Sequence, residues 1–194
     1  MHAATALASA LGIAWSSSIS LYATVAFTGV AGRIGWIVLP EGLRVLENPW
    51  VIGVALALTG VEIAASLVPG IATAWEAVHA AIRPVAAGGL AVLATWGASP
   101  GLVVVAGLLG GSLGAATAAT KLKLRTAIDA SPEPVSNAVA TGAEVSTVAG
   151  MAWLVWSHPW IALAVAIALL AALFLVARAI WRALRRAATW ASGG

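Results

Sequence analysis

Cysteine is absent from all 194 residues, which excludes disulfides, thiolate metal sites and a thiol nucleophile. Charge is scarce as well. Asp, Glu, Lys and Arg make up 9% of the chain, where a soluble domain carries roughly a quarter. The three histidines lie far apart with no ligand spacing, so no metal site is expected. The sequence also lacks a Gly-rich phosphate loop, a Ser/His/Asp constellation and a haem-type histidine pair, so neither an enzyme nor a cofactor is expected. The first twenty residues hold no Lys or Arg. Without a basic n-region they do not read as a cleaved signal peptide but as a retained first span.

What fills the chain instead is apolar: 61% of residues are hydrophobic and the mean hydropathy is +0.99. Burying that much apolar surface requires lipid as the main solvent. Six apolar segments lie near 3–27, 49–68, 84–96, 101–120, 135–157 and 159–181. The third is too short to cross a bilayer unaided, since a span needs about 20 residues. Lipid-facing backbone must satisfy its own hydrogen bonds, and the alternating ten-residue pattern of a barrel is missing, so the segments are predicted as helices. Proline opens the second, third and sixth, a position that suits it. The fold class expected is an all-α polytopic membrane protein with about six transmembrane helices.

The net charge of +3 does not point to nucleic acid, because the bases sit at the ends of apolar segments and report orientation. Six spans put Arg83, Lys121, Lys123, Arg125, Arg178, Arg182, Arg185 and Arg186 on one side, against Arg33 and Arg44 on the other. The positive-inside rule then predicts both termini in the cytoplasm. Residues 182–194 form a basic cytoplasmic tail, and "RAIWRALRR" is suited to anionic lipid. Segments 32–48 and 121–134 are expected along the outer and inner interfaces. Trp75, His79 and Arg83 recur every four residues, one helical face. Gly107, Gly110, Gly111 and Gly114 form overlapping GxxxG patterns, read as internal helix packing.

Two stretches share a pattern. Thr59-Gly60-Val61-Glu62 lies in the second segment and Thr141-Gly142-Ala143-Glu144 in the fifth. A Ser/Thr-bearing segment precedes each and a Pro-initiated segment follows each. This order suggests a three-plus-three duplication, with residues 1–100 as the first three-helix repeat and 101–181 as the second. An odd number of spans per repeat inverts the second copy, a common ground plan of transporters. A charge at mid-bilayer costs roughly 2.5–3.5 kcal/mol on insertion scales, so an intramembrane glutamate faces the protein interior or a cavity. Thr59 and Ser66 share a helical face with Glu62. Thr141, Thr147 and Asn137 accompany Glu144. These seven residues are the expected ion-binding set, with His79, Arg83 and Glu133 at an entrance. The alternative is that each glutamate is a protonated hydrogen-bonding group that ties helices together.

The string Trp75-x3-His79-x3-Arg83-Pro84, with "SPEPVSN" at 131–137 and a glutamate in each flanking span, resembles the bacterial membrane family called domain of unknown function 4126. The likeness runs from about Ser18 to Val148. It implies a small polytopic protein of the bacterial inner membrane and brings no settled activity. In that family an acidic residue and a lysine usually precede the proline after the first glutamate; here Ser66 and Leu67 stand there, before Pro69. The expected function is a small transporter or channel-like protein for a cation or protons. The competing class is a non-catalytic subunit in a larger membrane complex or homo-oligomer, or a lipid binder.

Overall fold

The computed structural model describes residues 3–68, 70–129 and 134–192, with side chains except at 128–129, 134–137 and scattered positions from 173 onward. Seven α-helices are present among the described residues: α1 (Ala3–Ile19), α2 (Leu21–Arg33), α3 (Pro49–Ser66), α4 (Ile71–Ala94), α5 (Pro100–Asp129), α6 (Pro134–Ser157) and α7 (Pro159–Ser192). A short 3-10 helix, Glu41–Glu47, lies between α2 and α3. The last five helices each contain a stretch long and apolar enough to cross a membrane. Proline at the first position, where its missing N–H goes unmissed, starts α3, α5, α6 and α7. At α3 the Asn48 side chain also accepts from the Trp50 N–H at 2.9 Å.

The expected first span, 3–27, is broken. Ser20 is extended, with φ −143° and ψ 108°. Around it, Ser17 and Ser18 donate to the Ala14 carbonyl at 2.9 and 2.7 Å, and Thr24 donates to the Ser20 carbonyl at 2.8 Å. Hydroxyls that compete for backbone groups in this way loosen a helix. Ser16 and Thr24 hydroxyls are 3.1 Å apart, whereas eight residues of straight helix span about 12 Å. The chain therefore folds back at Ser20. Ala6 and the loop at Val38–Glu41 line one cavity with the Ala94–Ala98 turn, and Ser9 donates to the Val155 carbonyl. So α1 starts at the end of the bundle that carries the 34–48 loop, descends to Ser20, and α2 returns to that same loop end. The opposite end carries the end of α3 at Leu67, the start of α4 at Ile71 and the basic C-terminal parts of α5 and α7.

Three further boundaries differ from expectation. The segment predicted to open at Pro84 begins at Ile71, so Trp75, Glu76, His79 and Arg83 belong to one 24-residue helix, α4. Segment 121–134 is not an interfacial linker through Lys121–Asp129, because α5 continues through those residues. Arg83, Lys121 and Arg125, counted by the charge rule as inner-side residues, are buried in the bundle. Pro84 lies inside α4, and α5 approaches it closely through glycines. A Cβ at Gly114 would stand 3.2 Å from the Pro84 Cα and 2.7 Å from the Ala87 Cβ, and one at Gly110 would stand 2.7 Å from the Ala91 Cβ. The GxxxG face is thus an internal α4–α5 seam, as small-residue motifs allow. Helix α1, with Ala10, Ile13, Ala14 and Trp15 buried, is enclosed by α4, α5, α6 and α7.

Candidate functional site

Below the tip of the α1–α2 fold lies a chain of charged side chains from four helices. Glu62 of α3 accepts from Arg83 of α4 at 2.8 Å. Arg83 also pairs with Glu76, one helical face up its own helix, through both terminal nitrogens. Glu76 in turn meets Lys121 of α5 at 2.9 Å, and Lys121 meets Glu144 of α6 at 2.9 Å. Arg125 lies 3.6 Å from the second Glu144 oxygen. Glu62, Glu76 and Glu144 are thus balanced by Arg83, Lys121 and Arg125. Charges out of water are tolerated when paired with good geometry.

The broken helix sits directly on this chain. Ser20 donates to the second oxygen of Glu62, and the Ile19 carbonyl accepts from Lys121 Nζ at 2.5 Å. An ammonium has three donors; those of Lys121 face Glu76, Glu144 and Ile19, one acceptor on each of three helices. Non-helical backbone at membrane depth is tolerated only where it is buried in protein or lines a cavity, and this cation satisfies the freed oxygen.

One end of the chain is open. Glu144 is 22% exposed and, with Lys121 and Thr147, lines a cavity of about 300 Å³ whose other walls include Trp15, Ile19, Leu124 and Val176. The other end is sealed, with Glu62, Glu76 and Arg83 no more than 5% exposed. Next to it, Tyr22 OH lies 3.1 Å from His79 Nε2, and His79 Nδ1 lies 2.9 Å from the Trp75 carbonyl. A carbonyl only accepts, so Nδ1 carries the proton and Nε2 accepts from Tyr22 in the neutral ring. The Trp75 and His79 rings stack at 4.3 Å.

The expected residues distribute unevenly over this geometry. Glu62 and Glu144 belong to one network without touching, linked through Arg83, Glu76 and Lys121. Glu62 meets the Arg83 guanidinium and the Ser20 hydroxyl, and Glu144 meets the Lys121 ammonium. Arg83, placed at an entrance by the sequence, is a wholly buried centre of the chain, and His79 is buried beside it. Thr59 donates to the Ala55 carbonyl of its own helix at 2.7 Å. Ser66 and Thr141 are buried, and Thr147 joins Glu144 at the cavity. Glu133 and the Asn137 side chain lie outside the described residues. Sequence reasoning missed Glu76, Lys121 and Arg125 as site residues. The signals were spacings: Glu76 precedes Arg83 by two turns, and Thr117, Lys121 and Arg125 continue one helical face at steps of four.

Five helices of spanning length around a buried, charge-balanced side-chain network define a polytopic helical protein of the membrane type. The sequence profile of the family described as domain of unknown function (DUF4126) matches residues 7–179, and the chain belongs to that family. The match reaches beyond the 18–148 stretch that carries the motif resemblance, taking in most of α1 and α7. No curated protein and no solved structure gives a match.

Proposed function

We propose that the protein conducts protons across a bacterial plasma membrane, with Glu144 as the exchanging carboxylate and the Ile19–Ser20 tip as the gate. The observation that carries this reading is the seating of a broken helix on a buried ion-pair chain that opens to a cavity at one end only. Discontinuous helices at membrane depth are the recurring device by which transporters expose backbone groups to an ion path. A proton suits the site better than a metal cation. The carboxylate oxygens already face Arg or Lys donors, so a metal ion would have to displace several of them, whereas a proton needs one oxygen. Protonating Glu144 removes its negative charge and weakens its ion pair with Lys121, although its carbonyl oxygen can still accept. The ammonium is then drawn toward Glu76, and the Ile19 carbonyl that it holds moves with it.

This reading carries a topology: five crossings by α3 to α7, with α1–α2 as a re-entrant pair. The chain ends then lie on opposite sides, unlike the six-span expectation. Lys123, Arg178, Arg182 and Arg185 mark the basic end as cytoplasmic. The duplication is supported by a shared arrangement: in each half, the glutamate is bound by a polar residue from an earlier segment of that half, Ser20 at the α1–α2 break for Glu62 of α3 and Lys121 of α5 for Glu144 of α6. The second reading, an accessory subunit that uses the chain as an ionic clamp, is favoured by the sealing of Glu62, Glu76 and Arg83.

Proteoliposomes with an internal pH dye and an imposed proton gradient decide between them. The wild type is expected to dissipate the gradient, and Glu144→Gln to slow it at least tenfold while remaining folded. Absence of flux in the wild type, or undiminished flux in both Glu144→Gln and Glu62→Gln, would overturn the transport reading in favour of the clamp.

A further inference from the structure

A second cavity, of about 460 Å³, lies between α5 and α7 at the basic end of the bundle. Its lining is Thr120 and Lys123 from α5, and Phe174, Arg178, Trp181, Arg182 and Arg185 from α7. Four of these seven side chains are cationic and none is acidic. On α7, Arg178, Arg182 and Arg185 follow at steps of four and three, a single helical face. Lys123 approaches from the other helix, so the charges form two walls of a cleft and not only a stripe on one surface.

Depth fixes what such a cleft meets. The uncharged run of α7 from Pro159 to Ala177 is 19 residues long, about 28 Å of helix and close to the thickness of the hydrocarbon core. Arg178 follows directly, so the cations stand where lipid headgroups lie. Phe174 and Trp181 are about half exposed; Phe174, one turn before Arg178, offers apolar contact on the hydrocarbon side, and Trp181 stands among the cations. The Arg185 guanidinium sits 5.5 Å from the centre of the Trp181 ring, a cation–π contact that holds one donor group at the rim. Guanidinium groups bind phosphate oxygens in a bidentate fork.

We propose that this cleft is a specific site for an anionic phospholipid. The phosphate is held among Lys123, Arg178, Arg182 and Arg185, and an acyl chain runs along Phe174. Free inorganic phosphate would satisfy the cations but leave the aromatic wall unused. The proposal needs only the membrane reading of the fold and does not depend on proton movement.

The test reconstitutes the full chain in vesicles of equal phosphatidylglycerol and phosphatidylcholine, re-extracts it in mild detergent, and quantifies co-purifying lipid by mass spectrometry. Phosphatidylglycerol is expected to be retained at least tenfold over phosphatidylcholine, and Arg178→Gln/Arg182→Gln to abolish that preference. Arg44→Gln, at the other end of the bundle, is expected to leave it unchanged. Should the double variant fail to fold, Lys123→Gln, on the other wall, is expected to reduce the preference severalfold. Equal retention of the two lipids overturns the proposal, as does a preference that survives Lys123→Gln and the folded double variant. Displacement of the lipid by millimolar inorganic phosphate overturns it in favour of a phosphate site.

Discussion

At the scale of single residues, Lys121 carries more of the site than either glutamate that first attracts attention. Its ammonium reaches Glu76, Glu144 and the Ile19 carbonyl, and each acceptor needs a compact donor on a flexible stem. A planar guanidinium fork presents its donors in a different geometry. Lys121→Arg is therefore expected to destabilise the fold despite the retained charge, and Lys121→Met to do so more strongly, by about 1–3 kcal/mol, because it strands Glu76 and Glu144 from one of their cations and leaves them only Arg83 and Arg125. Thermal unfolding in detergent checks the order. A Lys121→Arg variant as stable as the wild type would show that charge alone, and not donor geometry, matters here. The same reasoning makes Lys121→Met/Glu144→Gln less damaging than Lys121→Met alone, since neutralising Glu144 removes one of the stranded charges.

At the scale of elements, two local choices build the site. The serine-rich stretch from Ser16 to Ser20 breaks what hydropathy reads as one helix, and the break brings two polar backbone-proximal groups onto the charge chain. The glycines of α5 let α4 approach closely along a seam that includes Pro84, and this approach brings Glu76 within reach of Lys121. Gly110→Leu is expected to cost about 1–3 kcal/mol through overpacking, since its first added carbon already meets Ala91, Ala14 and the Ala87 carbonyl. Gly53→Ala, where nothing lies within 4 Å of the added carbon, is expected to leave stability unchanged or slightly raised. Melting temperatures of the two variants test the seam, and equal values would refute its close packing.

At the scale of the whole molecule, topology is the decisive quantity. In the proposed topology the folded-back α1–α2 pair leaves the five helices of spanning length to cross, which separates the chain ends. The natural absence of cysteine makes single-cysteine labelling direct. With a membrane-impermeant thiol reagent, Ala3→Cys and Ser99→Cys are expected to react from the same side and Ser192→Cys from the other. Labelling of Ala3→Cys and Ser192→Cys from one common side would restore a six-crossing arrangement.

What the sequence determined by itself was the solvent, the helical class and the existence of costly charges. Each follows from local composition: apolar runs near bilayer length and glutamates set in uncharged surroundings; proline was a weaker guide, since Pro49 and Pro159 start helices while Pro84 lies inside α4. The family was legible too, because its motifs are short and contiguous. Which charges meet was decided only by the tertiary structure. Hydropathy counts Arg83, Lys121 and Arg125 as boundary residues, because a base near the end of an apolar run looks the same whether it faces headgroups or a neighbouring helix. Only the packing of α3 to α6 reveals a carboxylate opposite each one. The reversal at Ser20 is hidden for a similar reason. Serine is neither proline nor glycine, and the break it makes is held by residues far along the chain: Lys121 donates to the Ile19 carbonyl and Glu62 accepts from the Ser20 hydroxyl.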